Sequence, residues 1–492
     1  MKDHGYITIF ITLLLASIIT LFTAVFVLTD VRNAENRATM ALRSAMSSVR
    51  AEYDRYIFDQ YHVLLLDADM DGEGTGKLEA LAEERLKKDL GEDFTVGETA
   101  LSGMTRIMDN DLAEFKEQVE AAVPYLAADA GVELLKEKVK GKDTPLDQSA
   151  FEEGDRAAQG GKIDGDDDLK KLKEETDNES GNEENEDEDP DGEKERKKVK
   201  EKDPRMKTRL WKKVGVAYMI APDDLELSYE VLKKGTLPSF GRTGSLILDM
   251  DAGFNSYGKL KRQTTQNSGW LKGLEAGGAG LIYAGNCFNC LTDRVQEDTV
   301  LCLEMEYLIA GETSDIANYK EVVDDILAIR TVCNLAYLLT DAEKMEICTA
   351  IAEAACFLFP PAAPVVKYLI AGAWSYMEAV ADAYRLVRGK KVPYLKNKEN
   401  WVTGINSFNG FGSDEEESES GLSYKDYLYI LLSLNMDSAW YRMLDIIQIN
   451  ANSKAEEGSH LLDMRYAITA FGMTVDVEYG GHVFSLEEET GY

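Results

Sequence analysis

The chain has 492 residues, with 54 Lys+Arg against 89 Asp+Glu, a formal net charge of -35 and 44% hydrophobic residues. That apolar content builds one or two sizeable cores and excludes disorder along the whole chain. The acidic balance excludes nucleic acid as a partner and disfavours spontaneous docking on anionic lipid, while six Cys and four His exclude a disulfide-dense scaffold or a zinc array.

Ile7 to Leu28 reads ITIFITLLLASIITLFTAVFVL, about 22 residues without a charge. At about 1.5 Å per residue this spans a hydrocarbon core of about 30 Å, so an uncleaved single-span anchor over 1–29 is expected. A cleaved secretory signal fits less well, because its apolar region is normally about 7–15 residues. Arg32, Arg37 and Arg43 follow the span and only Lys2 precedes it, which by the positive-inside rule leans towards a cytoplasmic body.

The helix is expected to continue past the membrane. Ala34, Ala38, Ala41, Ala45 and Val49 recur at spacings of three and four, giving an amphipathic helix with a small-residue face. That face suits close packing either on the protein's own head or between copies in a fibre. Residues 30–150 are expected to form a helical N-terminal part of the head. Within them Asp67-Ala-Asp69-Met-Asp71-Gly72-Glu73 begins like a calcium loop, with oxygens at positions 1, 3 and 5 and Gly at 6. Position 12 is Leu78, not the closing Glu, so the pattern also reads as an acidic turn before a helix at about Leu78–Leu90. Asp67, Asp69, Asp71 and Glu73 are the candidate metal ligands, and calcium is the only cofactor considered.

Residues 151–213 read as a charged linker inserted in the head. From Phe151 to Gly192 there are 18 acids against five bases, and from Glu193 to Lys213 the sign reverses to 11 bases against four acids. So little apolar surface cannot repay the entropy of ordering, and disorder is expected.

Residues 214–492 read as an α+β C-terminal part of the head, with helices dominant. Leu246–Met250 suits short strands or loops. Tyr319–Leu339 carries Val322, Ile326, Ile329, Val332, Cys333 and Ala336 at helical spacing. Ala355–Ala373 is apolar enough to suggest a second span, but Pro360, Pro361, Pro364 and Lys367 favour a buried helical hairpin. A helix is expected from Tyr424 to about Ile449. Ala467–Tyr479 partly alternates and ends at Gly480-Gly481, with His482–Leu486 as the return strand of a β-hairpin.

Cys287 and Cys290 form the CxxC pair, which on an extracytoplasmic protein could close a local disulfide and on a cytoplasmic one would be buried thiols. No GxSxG, Walker A, dinucleotide glycine signature or HExxH occurs, and the four His are scattered. No catalytic residue is assigned and no small-molecule substrate is expected.

The N-terminus, Gly5-Tyr-Ile-Thr-Ile-Phe10 ahead of the apolar stretch, resembles a class III prepilin leader. That resemblance implies cleavage between Gly5 and Tyr6; Phe10 stands at mature position five, where pilins usually carry Glu. The body resembles an uncharacterised bacterial family of membrane-anchored proteins associated with tight-adherence pilus systems. The residues carrying it are Asp54–Leu66 (DRYIFDQYHVLLL), Glu306–Asp315 (EYLIAGETSD), Leu422–Leu428 (LSYKDYL) and Met443–Gln448 (MLDIIQ). It implies an outward-facing body and protein partners in a pilus or secretion assembly. The expectation is a non-enzymatic, pseudopilin-like surface component. The alternative is a stand-alone cell-surface protein, calcium-dependent or cell-wall-binding.

Overall fold

The opening apolar run belongs to one helix, α1 (Asp3–Arg50), unbroken over 48 residues in the computed structural model. Beyond Gly5 it contains neither Gly nor Pro, so nothing in the sequence interrupts its ladder. Its threonines turn their hydroxyls back onto the helix: Thr20 Oγ1 donates to the Ala16 carbonyl and Thr29 Oγ1 to the Val25 carbonyl, both at 2.8 Å. The apolar face therefore carries no naked donor there. The most apolar 18-residue window has a mean hydropathy of 2.6 and none of it is buried. Among the described residues α1 is the one helix long and apolar enough to cross a membrane.

The structure describes residues 3–69, 75–129, 276–405, 421–455 and 460–492. The expected linker at 151–213 and the segment 246–250 lie outside them. The described chain divides into two units. Among the described residues, the first takes those of Met1–Val119 and Lys454–Tyr492, and the second those of Glu120–Leu248 and Trp270–Ser453.

In the first unit, α1 is followed by α2 (Arg55–Tyr61), β1 (Leu66–Asp67), α3 (Gly76–Leu90), β2 (Thr95–Arg106) and the start of α4 (Asp109–Asp129); β3 (Ala467–Tyr479) and β4 (His482–Gly491) complete it. All four strands are antiparallel, with β3 central: β2 runs along one of its edges, while β4 and the short β1 share the other. The expected β-hairpin is present. Tyr479 faces His482 across Gly480 and Gly481, both at positive φ (57° and 80°), which a two-residue turn of this hand requires. Within 30–150, expected as a helical part of the head, β2 is a strand. Its sequence, TVGETALSGMTR, contains two glycines and alternates weakly, and three register shifts against β3 accommodate it.

The small-residue face of α1 packs inside this unit. Ala34, Ala38, Ala41, Leu42, Ala45, Met46 and Val49 join Leu78, Ala82 and Leu86 of α3 and Phe471, Met473 and Val475 of β3 in one core. Arginines of α1 tie the helix further to β4: Arg43 Nη2 lies 2.7 Å from Glu488 Oε1, and Arg50 Nη1 donates to the Gly491 backbone carbonyl at 2.7 Å. Of the two uses expected for this face, packing on the protein's own head is the one seen.

The second unit is helical: α5 (Ala276–Cys287), α6 (Glu304–Ala310), α7 (Asp315–Thr340), α8 (Ala342–Ala355), a 3-10 turn (Pro360–Ala362), α9 (Ala363–Val387), α10 (Tyr424–Leu434) and α11 (Met436–Ser453). The expected helix at 319–339 is α7, started by Ser314, whose hydroxyl accepts from Ala317 N. The single helix expected from Tyr424 to Ile449 is two helices. Asn435 breaks it, with φ -125° and ψ 19°, and its side-chain amide donates to the Leu431 carbonyl at 3.2 Å. Residues 355–373 do form a helical hairpin, not a second span. Its base is buried around Leu338, Cys348, Ala371 and Trp374, but its turn is bare, because the three prolines hold that turn away from the core.

Candidate functional site

The second unit is organised around charged groups that its helices bury completely. Glu304 and Glu306 lie in α6 with no side-chain exposure. Glu304 accepts from the Asn289 backbone N–H at 2.8 Å and from Asn450 Nδ2 at 2.7 Å. Glu306 accepts from Leu291 N at 3.0 Å, with the Tyr424 hydroxyl as a further neighbour. Asp315, at the start of α7, takes the N–H groups of Cys302 and Leu303 at 2.9 and 3.0 Å. Three carboxylates thus fasten the loop 288–303, which has no helical ladder of its own, to the helices around it.

Burial governs their acidity. It raises Glu304 to about 8 and Glu306 to about 7 against the hydrogen bonds each accepts, and the nearby acids push the same way. A carboxyl whose folded value is raised stabilises the fold fully below its ordinary value near 4.5, and that contribution is lost as pH rises through 7 to 8. Each proton contributes a slope of up to about 1.4 kcal/mol per pH unit. The urea midpoint of this unit should therefore fall between pH 5.5 and 8, and Glu306→Gln should flatten that fall. A midpoint equally flat in wild type and variant would contradict the assignment.

The cysteine pair sits on the same loop. Cys287 ends α5 and Cys290 faces Asp293 in a short bridge, and both are buried free thiols in this structure. Burial raises Cys290 to about 12 and Cys287 further, with Glu306 and Glu304 respectively adding to the effect. Neither thiol carries thiolate character at neutral pH.

A second buried set lies between α7 and α9. Arg330 donates through Nε and Nη2 to Asp382 Oδ2 at 3.0 and 2.7 Å, through Nη1 to the Tyr394 carbonyl at 2.7 Å, and through Nη2 to Asn334 at 3.0 Å. Lys396 Nζ lies 2.7 Å from Asp382 Oδ1 and 2.6 Å from Glu378 Oε1. All four ionic side chains are fully buried, two of each sign. Burial is the largest single influence on Arg330 and works to lower its value, but the Asp382 carboxylate together with Tyr427 and Cys333 outweighs it and raises the value. Glu378 also accepts from Thr403 N and Thr403 Oγ1, both at 2.8 Å, so the set ties the segment after α9 back onto that helix.

Most of these carboxylate oxygens accept from backbone N–H groups or side-chain amides or meet paired cations, while Glu306 Oε2 is buried without a hydrogen-bond partner. Of the candidate calcium ligands, Asp71 and Glu73 lie outside the described residues. Asp67 Oδ1 accepts from Asp69 N at 3.0 Å, Asp67 Oδ2 lies 3.4 Å from His460 Nε2, and burial raises Asp67 to about 6. Among the described residues no group of three or more His, Cys, Asp or Glu could hold a metal ion. Gly5 and Tyr6 fall in the first turns of α1.

Sequence reasoning missed the buried ionic set. Its signal was present only for Glu304 and Glu306, two acids spaced by one residue inside the apolar stretch Leu301–Ile309. The resemblance segments, by contrast, converge here. Tyr307 donates its hydroxyl to Asp445 at 2.8 Å, and Tyr424 stands beside Glu306, so Glu306–Asp315, Leu422–Leu428 and Met443–Gln448 meet at one place.

The model of a family of unknown function, DUF5702, matches residues 194–479, more than half of the chain. The chain belongs to the DUF5702 family. The match takes in α5 to α11 of the second unit and β3 of the first. It bears out an uncharacterised family and carries no pilus association. It also leaves Asp54–Leu66 outside. No curated protein and no solved structure matches the chain.

Proposed function

We propose that this DUF5702 chain is a single-pass, membrane-tethered, non-enzymatic component of a surface assembly, with a tight-adherence pilus apparatus as its system and its body outside the cell. The observation that carries the proposal is the division of labour within α1. One uninterrupted helix has a bare apolar half of membrane-spanning length and a second half built into the core of the first unit. A helix shared in this way holds a folded body rigidly at a bilayer, with no flexible joint between anchor and head. The outward body follows from the resemblance, since a large translocated domain overrides the three arginines after the span. A non-catalytic role accords with buried carboxylates and thiols that are turned to structural use.

Protease added to intact cells, followed by N-terminal sequencing of the fragment retained in the membrane, tests both parts. The expected fragment begins at Tyr6 and ends within 151–213. A chain protected from protease would overturn the outward body, and a fragment beginning at Met1 would overturn prepilin-type processing.

A further inference from the structure

The turn between α8 and α9 is the largest break in the burial pattern of the second unit. Phe357, Leu358 and Phe359 are 80%, 92% and 66% exposed, and Val365, Tyr368 and Leu369 beyond the prolines are exposed as well. Thirteen consecutive residues, Ala354 to Val366, carry no charge. The first charges are Glu353 and Lys367, one turn back along each helix. Tyr368 accompanies Lys367 at that level, where a phenol and a flexible ammonium suit a headgroup layer.

Several backbone N–H groups of the turn are already paired. Cys356 N donates to the Ala352 carbonyl, Phe359 N to Cys356, Ala362 N to Phe359 and Ala363 N to Pro360. Pro360, Pro361 and Pro364 have no N–H to satisfy. The base is fixed by the packing of Leu338, Cys348, Ala371 and Trp374, so the tip is a rigid projection.

We propose that this tip inserts into the interfacial layer of a lipid bilayer. The geometry favours a fluid partner over a protein groove. A helix lying in a groove presents residues three or four apart on one face, whereas three consecutive exposed residues point in different directions, and a one-sided partner would leave some of them bare. Lipid covers all of them. The proposal rests on the reading that α1 holds the chain at a bilayer. Insertion driven by apolar contact should occur in zwitterionic lipid, because a net charge of -35 is repelled by an anionic surface.

Cys356 offers a probe at the tip, being the one cysteine of six that is not buried. The full chain, labelled there with an environment-sensitive thiol fluorophore, would be reconstituted in phosphatidylcholine vesicles containing doxyl-labelled phosphatidylcholine. Flotation with the vesicles reports the anchor independently of the tip. The expected result is at least twofold quenching by the doxyl lipid and protection from iodide, both lost in Phe357→Glu/Leu358→Glu while flotation persists. Flotation with quenching by iodide alone would overturn the insertion. So would a label shielded from both quenchers, which would mean a protein surface covers the tip. Failure to float would overturn the anchor reading instead.

Discussion

Asp382→Leu should destabilise the second unit by roughly 3–5 kcal/mol, the usual cost of leaving a buried charge without its partner. The substitution strands two cations, since Asp382 meets Arg330 through one oxygen and Lys396 through the other. Adding Arg330→Met should recover part of the loss, because the remaining Lys396–Glu378 pair is balanced and two apolar side chains fill the space. The measurement is urea unfolding of the full chain in detergent, followed by the fluorescence of Trp374 and Trp401, which pack against each other at 5.8 Å beside this set. A single variant within about 0.5 kcal/mol of wild type would show that the network is not under this strain. A double variant weaker than the single one would show that Arg330 matters through its bonds to Tyr394 and Asn334.

Leu42→Ala should cost about 2–5 kcal/mol of the first unit's stability, as expected for a large-to-small change in a packed core. Leu42 is fully buried where α1 crosses α3 and the sheet. Met40, two residues earlier on the same helix, is 70% exposed, and Met40→Ala should stay within about 0.5 kcal/mol. The contrast tests whether the second half of α1 is core or merely a stalk. Equal effects from the two variants would mean that the helix stands free of the head.

Much of this fold was legible because local periodicity coincides with burial. The 22-residue uncharged run, the Ala34–Val49 face, α7 and the Gly-Gly hairpin each carry their signal within a dozen or so neighbouring residues. What escaped notice depends on distant partners. β2 shows little alternation of its own and is a strand because β3 supplies its edge, with Thr105 and Thr469 brought together across 364 positions. Lys396 looks like any loop lysine until the segment after α9 folds back on Glu378. The hairpin at 355–373 was legible as a hairpin, but its bare turn was not, since apolar composition alone reads as burial.

The wide separation of β2 and β3 also has a consequence in time. The anchor and α1 emerge from the ribosome first, but the central strand on which the buried face of α1 rests is made nearly last. At about 5–20 residues per second, the nascent chain waits roughly 20–85 s before β3 arrives to cover Leu42, Met46 and Val49. Throughout that interval the helix presents an adhesive stripe with no central strand to receive it. A helper that shields this stripe during synthesis would act on the first unit, since every residue of the second has been made by Ser453.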